Sequence, residues 1–334
     1  MILPVDEFLK LRKTLPVVDV RSEGEFAEGH IQSALNIPIL NNAERIAVGT
    51  DYKQKGQAEA IRTGFRLVGP RLLDIVDQAK AVNNELIVHC WRGGMRSGNF
   101  CQFVGMAGVK THQLKGGYKA YRNVALQSFK TPFKFVVLAG STGSGKTEVL
   151  QALAKAGEQV IDLEDLASHK GSVFGGLMQN PQPTTEQFQN DLFEKILTID
   201  PEKRVWIEDE SVAVGKIFLP LDFWQAMGRS PVVELKVDKD VRIQRLVNEY
   251  GPADKDQFLE AMTGITKKLG GQHFKAAREK LLENDMPAVM DILLTYYDKA
   301  YRNGLEKKKN RIAGGFVWDG GDKNKLINGL MSFQ

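Results

Sequence analysis

Cysteine is nearly missing from this 334-residue chain, which holds only Cys90 and Cys101. Two cysteines eleven positions apart, with no C-x-x-C pattern and no Cys/His cluster around them, exclude a disulfide framework and give no sign of a metal cage. Long hydrophobic runs are also lacking: no 18 consecutive apolar residues occur, so no membrane-spanning helix is predicted. The N-terminal stretch MILPVDEFLK has neither the basic nor the long apolar region of a secretory leader, and a reducing cytoplasm is expected. Charge is close to balanced, 45 Lys and Arg against 41 Asp and Glu for a net +4. Such an excess permits a polyanionic partner without requiring one. Internal repeats are absent, and so is the N/T-K-x-D guanine-reading motif, which argues against a GTPase.

What is present fits two globular domains, since single cores rarely grow past ~250–300 residues. With 43% hydrophobic and 26% charged residues, each half can bury a core. LPVVDVRS (15–22) and ELIVHC (85–90) read as buried strands, and the apolar spacing of residues 56–82 predicts helix between them. A helix follows at MRSGNFCQFVGMAG, then a short element near 109–129. Pro132 marks a boundary, giving domains 1–130 and 131–334. FKFVVLAG, VIDLEDLA, RVWIEDES and PVVELKVD then alternate with helical stretches, which predicts a second α/β domain with a mainly parallel sheet. From about Asp240 to Asn310 the chain reads as helical and rich in Lys and Arg. That basic face is either simply solvated or a nucleic-acid surface with Tyr296, Tyr297 and Tyr301 interleaved.

Two glycine loops carry the chemistry. In HCWRGGMRSGNF, Cys90 leaves a strand and enters a helix, so loop amides and a helix N-terminus converge beside its sulfur. Trp91, Arg92, Gly93, Gly94, Met95 and Arg96 form the expected anion loop, with the arginines favouring a thiolate and an oxyanion next to it. Cys101 sits on an apolar helix face and reads as packing. The spacing HCx5R(S/T) is that of cysteine phosphatases, whose thiolate attacks a phosphoryl group. The second loop is GSTGSGKT, matching G-x-x-x-x-G-K-[ST] at every position between an apolar strand and a helix. Gly140, Ser141, Thr142, Gly143, Ser144, Gly145, Lys146 and Thr147 would cradle a diphosphate or triphosphate, with Lys146 on its terminal oxygens and Thr147 able to ligate Mg²⁺. Glu208 or Asp209, at the end of the strand RVWIE, would supply a carboxylate on the magnesium side. Asp162 and Glu164 end another strand, where Asp162 is either a substrate-side residue or a helix N-cap.

Around the thiol loop, VVDVRSEGEFAEGHIQSALNIP (17–38) and LKGGYKAYRN (114–123) resemble the opening and closing signatures of rhodanese domains. In that resemblance Asp19, Arg21 and His30 hold the fold, and the cysteine carries sulfur or selenium. The usual rhodanese loop has four residues between Cys and Arg. Five stand here, which argues against thiosulfate-type transfer and for a wider cradle. Taken with GSTGSGKTEVL, VIDLEDLASHKGSVFG, WIEDES and LLTYYDKAY, nearly the whole chain resembles the family of tRNA 2-selenouridine synthases. The run VAVGKI after EDES is less basic than a segment near RNA would be.

The resemblance implies a cytoplasmic transferase built as a rhodanese-like α/β domain followed by a P-loop NTPase-like parallel-sheet domain with a helical C-terminal part. Its substrate would be wobble 2-thiouridine in lysine, glutamate and glutamine tRNAs. Geranyl diphosphate would first alkylate the sulfur, and selenophosphate would then replace that sulfur by selenium, with Cys90 as carrier or as nucleophile. An enzyme that makes selenophosphate would be a partner, and no membrane would be involved. The reading from another class is a cysteine-dependent phosphatase or P-loop kinase acting on small molecules.

Overall fold

Glu85–His89 (ELIVH) is buried from its second residue onward, as expected of a parallel strand covered on both faces. The computed structural model describes residues 1–333 and divides the chain into two units, Met1–Ser128 with Gln189–Glu194, and Phe129–Phe188 with the chain from Lys195 onward.

In the first unit five strands, β1 (Ile2–Leu3), β2 (Val17–Asp19), β3 (Leu35–Asn36), β4 (Glu85–His89) and β5 (Lys110–Leu114), form an all-parallel sheet in the order β1-β5-β4-β2-β3. Its core joins Val18, Val20, Ile37, Ile75, Val88, Phe100 and Cys90 itself. Two differences from the sequence expectation stand out. The helical stretch expected over 56–82 is two helices, Gln57–Val68 and Leu72–Val82, parted by a 3₁₀ turn at Gly69–Arg71. Pro70 explains the break, since it lacks the amide that a continuous helix needs there. A further helix, Asn42–Lys55, stands ahead of them, opened by a reciprocal cap in which Asn41 accepts from the Glu44 amide and Glu44 from the Asn41 amide. It ends at Gly56, whose φ of 89° suits glycine.

Residues 189–194 complete this unit with polar side chains that the linear pattern does not reveal. Glu194 accepts from the Arg12 guanidinium at 2.7 Å and from the Tyr121 hydroxyl at 2.6 Å. Asn190 donates to the Tyr118 hydroxyl at 2.7 Å and to the His30 carbonyl at 2.9 Å. Tyr121 is fully buried, so losing its acceptor leaves a hydroxyl stranded. Glu194→Ala should therefore lower the unfolding free energy by about 2 kcal/mol, read as a fall in the urea midpoint of the full chain; an unchanged midpoint would refute the role.

The second unit repeats the logic. Strands β6 (Lys134–Gly140), β7 (Gln159–Ile161), β8 (Arg204–Glu208), β11 (Val232–Val237) and β12 (Ile312–Trp318) give a parallel sheet ordered β12-β11-β6-β8-β7, while β9 (Ala213–Val214) and β10 (Ile217–Phe218) pair as a small hairpin. The chain builds β7 and β8 on one side of β6 and β11 and β12 on the other, so β6 lies at the switch point, where open α/β sheets place ligands. Helices between Lys239 and Glu306 form a core of their own around Phe258, Met262, Leu281 and Leu293. The basic helical region is thus real, but β12 and the helix Lys323–Met331 follow it and were not foreseen. Among the described residues no helix is long and apolar enough to cross a membrane.

Candidate functional site

The thiol loop starts where β4 runs out. Cys90 is 3% exposed and its sulfur lies 3.2 Å from the Ser97 hydroxyl, on the floor of the loop. The segment Leu114–Lys119 clasps the loop from beneath: the Tyr118 amide donates to the Cys90 carbonyl and the Lys119 amide to the Trp91 carbonyl, both at 2.9 Å. Contact is so close that a Cβ on Gly117 would come within 2.3 Å of the Cys90 carbonyl oxygen, and Gly117 has φ +60°. Glycine is obligatory there. The Gln113 amide donates to the carbonyls of Gly93 and Gly94 at 2.9 and 3.4 Å and to the Ser97 hydroxyl at 2.8 Å. In a trans peptide a carbonyl and the next amide point opposite ways, so the Gly94 and Met95 amides turn away from Gln113.

The expected anion loop is not uniform. Trp91 packs its ring 5.6 Å from that of Tyr118, near the Arg21 guanidinium, so its side chain braces the loop rather than facing a ligand. Arg96 donates to Glu25 at 2.6 and 3.2 Å. Burial alone would raise the Glu25 carboxyl, but the Arg96 guanidinium outweighs it and holds the carboxyl below its usual range. The guanidinium is thus pinned by a carboxylate at the residue just before Ser97, whose hydroxyl meets the sulfur. Arg92 is exposed and has no carboxylate partner among the described residues. Beneath the loop, Asp19 and Arg21 form a buried ion pair at 2.6 Å, and His89 is fully buried with neither ring nitrogen hydrogen-bonded. Burial pushes the His89 pKa down and keeps it neutral. Cys101 is half-buried against the core, and burial raises its thiol pKa.

The phosphate loop follows β6. Gly143 and Gly145 both have φ +80°, and a Cβ on Gly143 would lie 2.9 Å from Leu246. Lys146 opens the helix Lys146–Lys155, and its ammonium donates to the Gly140 carbonyl at 3.2 Å. Arg242, itself held by Asp298 at 2.7 and 2.8 Å, donates to the Thr142 carbonyl at 3.2 Å. Ser144 is buried with its hydroxyl unpartnered. Thr147 donates to Glu164 at 3.1 Å. The loop from Thr142 to Thr147, with Glu164, lines a cavity of about 790 Å³ that also takes in Glu210, Asp209, Arg245, Tyr297 and Tyr301.

The strand-end carboxylates separate by environment. Glu208 is 2% exposed, accepts from the Glu164 amide at 2.7 Å, and keeps its other oxygen unpartnered. Asp209 is paired with Lys308. Asp162 caps the short helix Leu163–Leu166 through the Asp165 amide at 2.9 Å, which settles the N-cap alternative. Burial, with the charges of Asp162 and Glu164, lifts Glu208 well above the carboxylate range. Burial also lifts Asp162 to about 6. Glu210, which sequence reasoning missed, is pushed by burial and by the Glu164 charge up to about 8. A crowded set of carboxylates with an orphaned oxygen is one that a cation would relieve. Thr147 and Glu164 are the hydroxyl and carboxylate donors that Mg²⁺ uses beside phosphates. Of the interleaved tyrosines, Tyr296 and Tyr297 pack on the helical core with rings 5.0 Å apart, and Tyr301 donates to Glu234 at 3.3 Å. Tyr297 and Tyr301 also line the phosphate cavity.

The fold and the loops define a rhodanese-like unit joined to a P-loop unit. Residues 4–124 match the rhodanese-like domain family, and residues 133–324 match the tRNA 2-selenouridine synthase AAA domain. A tRNA 2-selenouridine synthase of Shewanella denitrificans is 33% identical, covering 93% of this chain and 94% of its own. That of Sulfurovum sp. is 34% identical over 89% and 90%, and that of Azotobacter vinelandii 35% over 89% and 90%. The chain belongs to the tRNA 2-selenouridine synthase family.

Glu210 has a measurable consequence. Its folded pKa of about 8 exceeds the ordinary 4.5, so between those values the native state binds more protons than the unfolded chain, and stability falls as pH rises. Glu210→Gln should shrink the drop in melting temperature between pH 5 and pH 8.5 relative to the parent. An identical pH profile would show that Glu210 is not the titrating group.

Proposed function

We propose that this chain modifies tRNA in two stages, exchanging the sulfur of wobble 2-thiouridine for selenium by way of an S-geranyl intermediate. The observation that carries the reading is the pairing, in one chain of this family, of a thiol at an amide-lined loop with a phosphate loop facing a large cavity. In the first stage the base sulfur attacks C1 of geranyl diphosphate. The C–S bond forms as the C1–O bond breaks, diphosphate leaves with the electron pair, and the N3 proton passes to solvent. Lys146 and the loop amides stabilise the charge that develops on the leaving diphosphate. Thr147 and Glu164 would hold Mg²⁺, which would supply further stabilisation of that charge.

In the second stage selenophosphate enters the thiol loop, its phosphate held by the Gly94 and Met95 amides and Arg92. Cys90 is the carrier or the nucleophile. Selenium bonds to C2 and geranylthiol departs. Water supplies the two protons needed at N3 and sulfur, and its oxygen goes to the released phosphate. S-alkylation matters because it turns a poor leaving group into a better one. The cysteine-phosphatase alternative loses support from Arg96, whose guanidinium is committed to Glu25.

The two loops make separable demands on variants. Cys90→Ala should leave geranylated tRNA accumulating and abolish selenium incorporation, followed by mass analysis of wobble nucleosides; loss of both stages would sink the division of labour. Lys146→Ala should slow geranyl transfer by about a hundredfold or more while still selenating tRNA that is supplied already geranylated. Unchanged geranylation would remove Lys146 from the diphosphate site.

A further inference from the structure

The first unit contains a cavity of about 170 Å³ that none of the chemistry above has used. The helices Asn42–Lys55 and Gln57–Val68 wall it on one side, and the helix that opens after the thiol loop closes it on the other. Its lining is almost wholly carbon, from residues such as Val48, Ala60 and Phe103, and Arg96 supplies the only charge at its edge. An apolar cavity of about 150 Å³ already stays dry and takes up a benzene-sized guest. The rim is apolar too: Phe65 is 61% exposed, Tyr52 59% and Met95 51%. Large side chains left in water around a hole mark a binding surface rather than a packing remnant.

Position says which way a guest would face. Met95 and Arg96 line the cavity and lie in the thiol loop's own handover to helix, and the next residue, Ser97, places its hydroxyl 3.2 Å from the Cys90 sulfur. A ligand that lays an apolar chain in this cavity therefore presents its other end beside the thiol. We propose that the cavity receives the geranyl tail of S-geranyl-2-thiouridine and so selects alkylated tRNA for the selenium stage. The inference rests on the two-stage reading and adds a recognition site to it. The chain's first carbons sit inside, past Ala60 and Gly64, and the outer isoprene unit lies against Phe65 and Tyr52. The cavity also explains why the unit carries two helices that contribute no strand and no loop residue to the thiol site: they are its walls.

Gly64 offers a direct test, because a side chain built there meets no atom within 4 Å and would project into the void. Parent, Gly64→Leu and Phe65→Ala proteins would be given selenophosphate and tRNA carrying either S-geranyl or S-methyl 2-thiouridine at the wobble position. The parent should prefer the geranyl substrate by about tenfold or more. Gly64→Leu should lose that preference, with S-methyl turnover and geranylation of thiolated tRNA retained. Phe65→Ala, which removes only an exposed ring and so leaves folding intact, should raise KM for geranylated tRNA with little change in kcat. Equal use of both substrates by the parent, or an undiminished geranyl preference in both variants, would overturn the cavity assignment alone. If the parent neither geranylates nor selenates thiolated tRNA, the two-stage reading itself is wrong.

Discussion

Each unit depends on the same physical constraint: a buried parallel strand must stop at the sheet edge, and the backbone groups it leaves there need partners. At β4 and at β6 the chain meets this with a glycine loop that hands over to a helix. Amides that a strand would have paired are then gathered beside a helix N-terminus, a favourable place for negative charge. What differs is the fixed group each loop carries. The first ends its strand with a thiol, the second opens its helix with an ammonium. One scaffold thus yields a place for a nucleophile next to an anion and a place for a leaving diphosphate.

Charge around the two loops is arranged in opposite senses. Near Cys90 a cation is restrained, since Glu25 takes up the hydrogen bonds of Arg96. Around Lys146 carboxylates are concentrated instead. Asp162, Glu164, Glu208 and Glu210 crowd one end of the sheet, and burial plus mutual repulsion hold several of them partly protonated. Their raised proton affinity makes this end of the unit more stable in mild acid than at higher pH.

Both glycine loops are legible in the sequence because backbone conformation restricts residue type locally: Gly93, Gly143 and Gly145 combine a positive φ with neighbours that a Cβ would crowd. The strands leading into them are legible for a similar reason, as unbroken apolar runs. Other features escape because they depend on residues far apart. Arg96 and Glu25 are 71 positions apart, and nothing about GEFAEG marks Glu25 as the partner. Glu210 looks like one more acid in EDES until burial singles it out. Ile312–Trp318 (IAGGFVW) follows a long helical stretch and has glycines where strands avoid them, yet pairing with β11 along its length makes it the edge strand. Asn42–Lys55 is polar on most faces and buries no residue fully, so its periodicity is faint. The place of Tyr297 in the lining of the phosphate cavity is equally hidden, because only the packing of distant helices brings it there.

The fifth residue in the thiol loop links these points. Gly93 takes φ +64° and would clash with the Leu114 carbonyl if it bore a Cβ, so the added length is absorbed by a left-handed turn pressed onto β5. Gln113, on that same strand, then captures the carbonyls of both Gly93 and Gly94. The extra peptide therefore does not slacken the loop. Just beyond it, Met95 and Arg96 line the edge of the apolar cavity. The same short run of backbone therefore ends the thiol loop, opens the helix and walls the cavity.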